Sequence, residues 1–256
     1  MEDFHRYTRY YLEKHPEEKQ AIAEEHLERV AKGKKIWNNW AEEFAEFIEK
    51  KALEDAFIDL GEIEINITDH YFSELNIPCF ISFFKTIFSG DIDFSHSTFS
   101  GDTDFSHSTF SDGADFSDST FSGNAYFRDS TFSGTTFFSD STFSGDADFS
   151  RTNFNKQGNF KNCSFEKVND FTKSMFNNQV PDFNYASFKQ APHLASVSIP
   201  FIKEKQKGLV ERYRKLKQMA QSSKDHENEL VFFGYETHAK FYQVVLLVFK
   251  LRHQFC

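Results

Sequence analysis

Between Phe88 and Phe176 a phenylalanine returns at alternating steps of six and five residues without a miss. The series is Phe88, Phe94, Phe99, Phe105, Phe110, Phe116, Phe121, Phe127, Phe132, Phe138, Phe143, Phe149, Phe154, Phe160, Phe165, Phe171 and Phe176, and it resumes at Phe183 and Phe188. Neither the ~3.6-residue period of a helix nor the alternation of a half-buried strand produces such a beat. A fixed longer period belongs to stacked units, each burying its apolar face only against its neighbours. The chain is therefore expected to wind as a solenoid, an architecture used for binding or structural surfaces.

Two positions before nearly every Phe stands a small residue: Ser97, Thr103, Ser108, Ala114, Ser119, Ala125, Ser130, Thr136, Ser141, Ala147. Residues two apart in an extended segment share a face, so each segment turns one small and one large side chain inward. The intervening positions are polar and point outward. Each Phe taken out of water is worth roughly 2–3 kcal/mol, with about 0.5–1.5 kcal/mol more from ring pairing. That gain offsets the ordering entropy of a segment otherwise made of Ser, Asp, Gly and Thr, whose composition alone suggests disorder. A disordered aromatic-polar tract is the alternative, and the strict spacing argues against it.

The pattern small, any, Phe, any, any resembles that of the pentapeptide-repeat family over about residues 83–188. The resemblance implies a right-handed β-helix of nearly square section, with four repeats per coil and the Phe and small residues lining its interior. This chain departs by one extra residue after every second repeat, at Asp91, Asp102, Gly113, Asn124, Thr135, Asp146, Gln157 and Val168, giving a coil of 22 residues. Gly and Asp are common there and are expected to form turns.

The fold is thus expected to be mainly β, a β-helix over residues 83–190 capped by helices, with an N-terminal helical region at 1–60, a transition at 61–82 and a C-terminal helical region at 200–256. Pro16 opens a first turn, Ala23, Leu27, Val30 and Ala31 follow at helical spacing, and Gly33 supplies a stop. Trp37, Trp40, Phe44, Phe47 and Ile48 form a second stripe, expected to pack on neighbouring helices or the first coil. The segment Trp37-Asn38-Asn39-Trp40 is similar to one that precedes the repeats in bacterial family members, although Ala41 stands where they often have Arg. Ile63, Ile65 and Ile67 alternate as in a strand, and Tyr213 to Met219 with Asp225 to Glu236 looks like a helical pair that follows the repeats in a bacterial subgroup. These helices are expected to cap the ends of the solenoid, which otherwise expose unpaired strands.

Three cysteines, Cys79, Cys163 and Cys256, share no metal or redox spacing and read as reduced thiols. The opening Met-Glu-Asp-Phe-His-Arg lacks the apolar core of a secretory signal, and no run of about 18 apolar residues occurs. A cytoplasmic location is expected, with membrane-surface contact through the C-terminal helices as its variant.

Charge is segregated. Phe88 to Phe149 holds eleven Asp, one Arg and no Lys or Glu, a net of −10 that equals that of the whole chain. Asp93, Asp104, Asp115 and Asp148, each just before a Phe, are the candidate interaction surface. Lys203 to Lys217 holds seven basic and two acidic residues and is a candidate to dock back on the acidic walls. Such walls suit a protein partner and oppose direct binding of nucleic acid, whose phosphates require clustered Lys and Arg. The alternative is DNA mimicry directed at a type II topoisomerase, a role the resemblance raises; at about 4.8 Å per coil the rod is short for it. Threonines 98, 109, 120, 131 and 142 suggest an ice-binding ladder, but successive members alternate between opposite walls. No catalytic, cofactor-binding or metal site is expected: His96 and His107 fall on opposite sides, and His226-Glu227-Asn228-Glu229 lacks the second His of a zinc-protease helix.

Overall fold

Along the repeat, two-residue strands alternate with corners, and each strand pairs in parallel with the strand 22 residues away, as Thr98 with Thr120 and Ala125 with Ala147. A computed structural model describes residues 4–51, 53, 56–65, 72–202 and 208–254, with 243–254 as backbone alone. Ile67, Lys203, Lys205, Lys207 and Cys256 lie outside the described residues, as do the side chains of Val244 to Phe249. The result is a β-solenoid of about six turns with four parallel sheets.

In chain order around a coil, the first sheet is the Phe137 wall: Ile92–Asp93, Ala114–Asp115, Thr136–Phe137 and Gly158–Asn159. The Thr120 wall follows, with Thr98–Phe99, Thr120–Phe121 and Thr142–Phe143 at its centre. Facing the Phe137 wall is the Tyr126 wall, with Thr103–Asp104, Ala125–Tyr126, Ala147–Asp148 and Asn169–Asp170. The Thr131 wall, with Thr109–Phe110, Thr131–Phe132 and Asn153–Phe154, closes the square.

Every Phe of the series from Phe88 to Phe176 is at most 2% exposed. The rings pile in four columns; Phe94, Phe116, Phe138 and Phe160 stack at 5.1, 4.9 and 5.0 Å with interplanar angles of 10°, 5° and 8°. Neighbouring columns meet edge to face, as Phe116 does with Phe105 at 5.4 Å and Phe127 at 5.5 Å. The edge-to-face contacts set the positive edge of one ring against the negative face of the next, which is a favoured arrangement of ring quadrupoles.

Strand pairing also extends beyond the uninterrupted Phe series. Leu60, Ile65, Phe72 and Ile77 continue the columns below Phe83, Phe88, Phe94 and Phe99. Leu194 and Ile199, both buried, continue them above Phe171 and Phe176 through the bridges Asp170 to His193 and Met175 to Ser198. Aliphatic side chains fill these end positions, so the aromatic beat stops before the coil does.

The corners divide by step length. At each five-residue step one residue is left-handed: His96, His107, Asp118, Asp129, Asp140, Arg151, Asn162 and Lys173 have φ between 55° and 63°. The turn conformation therefore lies at these corners, not at the extra Gly and Asp of the six-residue steps, where the sequence suggested it. At the six-residue steps carboxylates and amides tie coils together: Asp102 Oδ1 accepts the Asn124 N–H at 2.7 Å and Asn124 Oδ1 that of Asp146 at 2.9 Å. Glycine is needed there for closeness, since a Cβ on Gly123 would lie 2.5 Å from the backbone of Gly101 and Asp102.

The inward small residues follow the same division. After five-residue steps they donate to carbonyls, as Ser119 Oγ to Phe94 O at 2.7 Å, Thr152 Oγ1 to Phe127 O at 2.7 Å and Cys163 Sγ to Phe138 O at 2.7 Å. After six-residue steps Ala114, Ala125, Ala147 and Gly158 leave space for the rings.

Three helices cover the first coil: α1 (Arg9–Lys14), α2 (Lys19–Ala31) and α3 (Lys34–Lys51). Gly33, at φ 100°, ends α2 and admits the sharp entry to α3. From α3, Trp37 Nε1 donates to Asn76 O at 2.7 Å, and the Asn38 side chain accepts from Asn76 N at 2.8 Å while donating to Glu74 O at 3.0 Å. One amide side chain thus imitates a neighbouring strand at the open edge of the Thr120 wall. At the other end stand α4 (Leu209–Ser222) and α5 (His226–Gln254). Arg212 Nη1 donates to Val180 O at 3.2 Å, Lys215 Nζ to Ala186 O at 2.7 Å and Asn228 Nδ2 to Leu194 O at 3.2 Å.

The basic helix α4 seats on the end of the coil, where Arg212 pairs with Asp182. Its other cations, Arg214 and Lys217, converge with Lys240 on Glu236, which is 2% exposed. Burial pushes the Glu236 carboxyl up, but the three cations outweigh it and hold its pKa at about 2. Among the described residues no helix is long and apolar enough to cross a membrane.

Candidate interaction surface

A solenoid spends its large side chains inside, so its surface chemistry is carried by the residue that precedes each Phe. On the Thr120 and Thr131 walls that residue is Thr98, Thr120, Thr142, Thr109 or Thr131, and these walls are uncharged at their centres. On the other two it is mostly Asp. The four candidate aspartates do not form one cluster: Asp93 and Asp115 stand on the Phe137 wall, Asp104 and Asp148 on the Tyr126 wall that faces away from it. All four are half-buried.

Each of them also holds a corner. The Oδ1 atoms of Asp93, Asp104, Asp115 and Asp148 accept the N–H two residues on, of Ser95, Ser106, Ser117 and Ser150, at 2.8 Å in every case. This is the Asx turn, and it prepares the left-handed residue that follows. The sequence shows the carboxylates but not this second task. Its signal is the regular placement of Asp three residues before the left-handed position, and of Thr where no such corner follows.

In the column of turn-capping positions from Asp93 to Asp182, Tyr126 and Phe137 are the residues without a short side-chain acceptor. Phe137 is 39% exposed, in register between Asp115 and Asn159. It lies in a shallow hollow of about 270 Å³ whose lining includes Asp91, Asp93 and Asp115.

Other polar groups are committed elsewhere. Arg151 grips Asp129 with two bonds of 2.6 and 2.7 Å, which lower the carboxylate's pKa. His96 lies 3.9 Å from Asp118 and His107 3.7 Å from Asp129, each one coil apart, so the two histidines belong to different corners. Cys79 and Cys163 are buried free thiols, and burial pushes both pKa values up, that of Cys163 to about 12. His15, Glu17 and Glu18 bring ligand atoms within 4.8 Å of one another near the surface, but Glu18 is held by Arg6 and by Tyr11. An open cleft of about 460 Å³ between α1 and the first coil is lined in part by Arg9, Lys19, Phe57 and Asp59; Lys19 pairs with Asp59 at 3.1 Å and Arg9 lies over the Phe57 ring.

Residues 83–131 and 116–164 match the family model for pentapeptide repeats, in nine copies. No curated protein and no solved structure matches the chain.

Proposed function

This chain is a pentapeptide-repeat protein, and from that premise we propose that it is a non-catalytic scaffold whose Phe137 wall docks a basic segment of a partner protein. The β-solenoid supports a repeat-scaffold role in general. One observation carries the finer reading: Phe137 occupies a position that its neighbours use to cap a turn, and it gives up that bond to stand half in water. A residue that breaks a local structural rule without a compensating contact marks a functional surface. An exposed ring beside carboxylates suits a Lys or Arg side chain, which gains attraction to the ring face and to the anions together.

The test uses Phe137→Asp, which restores the turn acceptor and removes the ring. Cross-linking in the native cell, read by mass spectrometry, is expected to capture a partner with the natural chain. Phe137→Asp and the pair Asp93→Asn with Asp115→Asn are expected to lose that partner while their thermal melts stay unchanged. Undiminished capture by both variants would overturn the assignment. Inhibition of gyrase supercoiling by the natural chain would replace it with DNA mimicry.

A further inference from the structure

Two residues at the Phe137 wall have no reason in the coil, and they stand side by side. Phe137 occupies a column in which Asp93, Asp115, Asn159 and Asp182 all supply the acceptor of a turn. Gly113 lies in the adjoining corner column, which runs Asp91, Gly113, Thr135 and Gln157. Gly101, Gly123, Gly134 and Gly145 are set by closeness, since a Cβ on any of them would fall 2.2–2.5 Å from the backbone of the preceding coil. Gly113 is not: its φ is not positive, and an added Cβ would meet nothing but the Asp91 carboxylate closer than 3.6 Å. Local rules broken without structural gain point to function.

The hollow of about 270 Å³ depends on both residues, because Gly113 leaves part of its lining without a side chain and Phe137 supplies its one ring. The opposite wall shows the filled alternative. Tyr126 also lacks a turn acceptor, but the corner column beside it is Asp102, Asn124 and Asp146, whose side chains bond from coil to coil at 2.7 and 2.9 Å, and its ring is half-buried.

Size and charge say what enters the hollow. Small-molecule sites occupy roughly 300–1,000 Å³, so this one suits a single side chain. Asp91, Asp93 and Asp115 line it and no Lys, Arg or His does, which makes the occupant a cation. The three carboxylates are no metal cage, since among the described residues only His15, Glu17 and Glu18 bring three ligand atoms within 4.8 Å of one another. A methylated ammonium is wrapped by several rings, and here there is one. A flat guanidinium needs only one: it is weakly hydrated, stacks on a single ring face and offers N–H groups at its edge, where an ammonium keeps its water. Two carboxylates are held ready for those groups. Asp91 Oδ1 accepts Gly113 N at 2.7 Å and Asp115 Oδ1 accepts Ser117 N at 2.8 Å, and each has a second oxygen outside that bond.

We infer that the hollow seats one arginine side chain of the partner, with its guanidinium flat on Phe137 over Gly113 and its edge on Asp91 and Asp115. The inference rests on the docking role proposed for this wall and adds the residue type that anchors it.

The experiment is an NMR titration of the full isotope-labelled chain with two blocked peptides, acetyl-Gly-Gly-Arg-Gly-Gly-amide and its lysine counterpart. The arginine peptide is expected to move the amide signals of Gly113 and Asp115 and to bind about three- to five-fold more tightly than the lysine peptide. Phe137→Leu removes the ring face and should make the two peptides equal. Gly113→Thr fills the hollow with the residue type found one coil on, at Thr135, and should abolish binding of both while far-UV circular dichroism stays the same. Equal affinities for the natural chain would overturn the guanidinium assignment and leave the wall a site for any basic segment. An arginine peptide that binds the Gly113→Thr chain as well as the natural one, or moves Asp104 and Asp148 as much as Asp115, would overturn the hollow as its seat. No shift from either peptide at millimolar concentration would overturn it too, and the docking role itself is decided separately, by partner capture with Phe137→Asp.

Discussion

Replacing Gly123 by Ala tests whether backbone contact between coils sets the six-residue corners. The added Cβ would stand 2.5 Å from the Asp102 nitrogen and the Gly101 carbonyl carbon, against an ordinary contact distance of at least 3.4 Å, so the coils must part by about 0.9 Å. Parting them strains the bond from Asn124 N to Asp102 Oδ1, at 2.7 Å, and that from Thr103 N to Asn124 O, at 2.8 Å. Overpacking costs about 1–3 kcal/mol and each of the two weakened hydrogen bonds about 0.5–1.5 kcal/mol, so a loss of roughly 2–6 kcal/mol is expected. Gly113→Ala is the control. Its Cβ would meet the Asp91 carboxylate at 2.8 Å and nothing else closer than 3.6 Å, and a surface carboxylate can swing aside. The bond from Gly113 N to Asp91 Oδ1, at 2.7 Å, would be lost; its roughly 1 kcal/mol is partly offset by the lower chain entropy of Ala when unfolded. Neither glycine has positive φ, so conformational strain does not separate the two variants. Urea denaturation followed by far-UV circular dichroism should show Gly123→Ala well below Gly113→Ala in midpoint. Equal midpoints would refute the claim that coil proximity, not turn conformation, selects glycine here.

Asn38→Ala removes both bonds that close the Thr120 wall, at 2.8 and 3.0 Å, and should cost about 1–3 kcal/mol. Hydrogen exchange at Asn76 should quicken and warming should bring aggregation through the bared edge; unchanged protection there would show that α3 caps by packing alone. Acid should loosen both caps. His26 lies buried against Tyr7 and Trp40, and burial, with help from Arg29 and Arg6, lowers its pKa to about 3. The unfolded chain therefore binds the proton first. Stability from this group is complete above pH 6.5 and falls below it by up to ~1.4 kcal/mol per unit as pH drops toward 3. Glu236 behaves likewise between its ordinary value of 4.5 and about 2. Fluorescence of Trp37 and Trp40 during urea titrations should report the first loss, and His26→Phe should flatten it; an unaltered pH slope in that variant would exclude His26 as its source.

The solenoid was legible in the sequence because its core demands one residue type at one period, and stacked rings tolerate no slip. The ends were less legible for the same reason. Leu60, Ile77, Leu194 and Ile199 fill ring positions with ordinary aliphatic residues, and the coil-to-coil step grows to 23 between Phe160 and Phe183, so no periodic signal survives there. The capping role of Asn38 lay inside the Trp37-Asn38-Asn39-Trp40 segment but could not be read from it, since a single amide meeting one strand edge has no repeat. The division of the small inward column into hydroxyl donors and alanines was present as a second eleven-residue rhythm, Ser97, Ser108, Ser119, Ser130 and Ser141 against Ala114, Ala125 and Ala147. Its meaning required the corners, because the serines are donors only where a left-handed turn leaves a carbonyl to bind.

Corner chemistry also explains why acid gathers on two opposite walls. Left-handed corners follow the Phe137 and Tyr126 walls, and six-residue corners follow the two Thr walls. Only the former gain from an Asx acceptor, so Asp is selected there whether or not a partner exists. Each such Asp thus has a structural oxygen, fixed on the turn, and a negative charge that the turn does not require. Asparagine retains the acceptor and removes the charge; alanine removes both. Asp104→Asn and Asp148→Asn should therefore leave urea midpoints nearly unchanged, while the two alanine variants each lose about 1 kcal/mol. If the asparagine variants lost as much as the alanine ones, charge would itself hold the corner, and the acidity of the walls would need no partner to account for it. If they keep their stability, the charge is free to be read by whatever docks on the coil, and Asp to Asn exchange becomes the means of mapping where it docks.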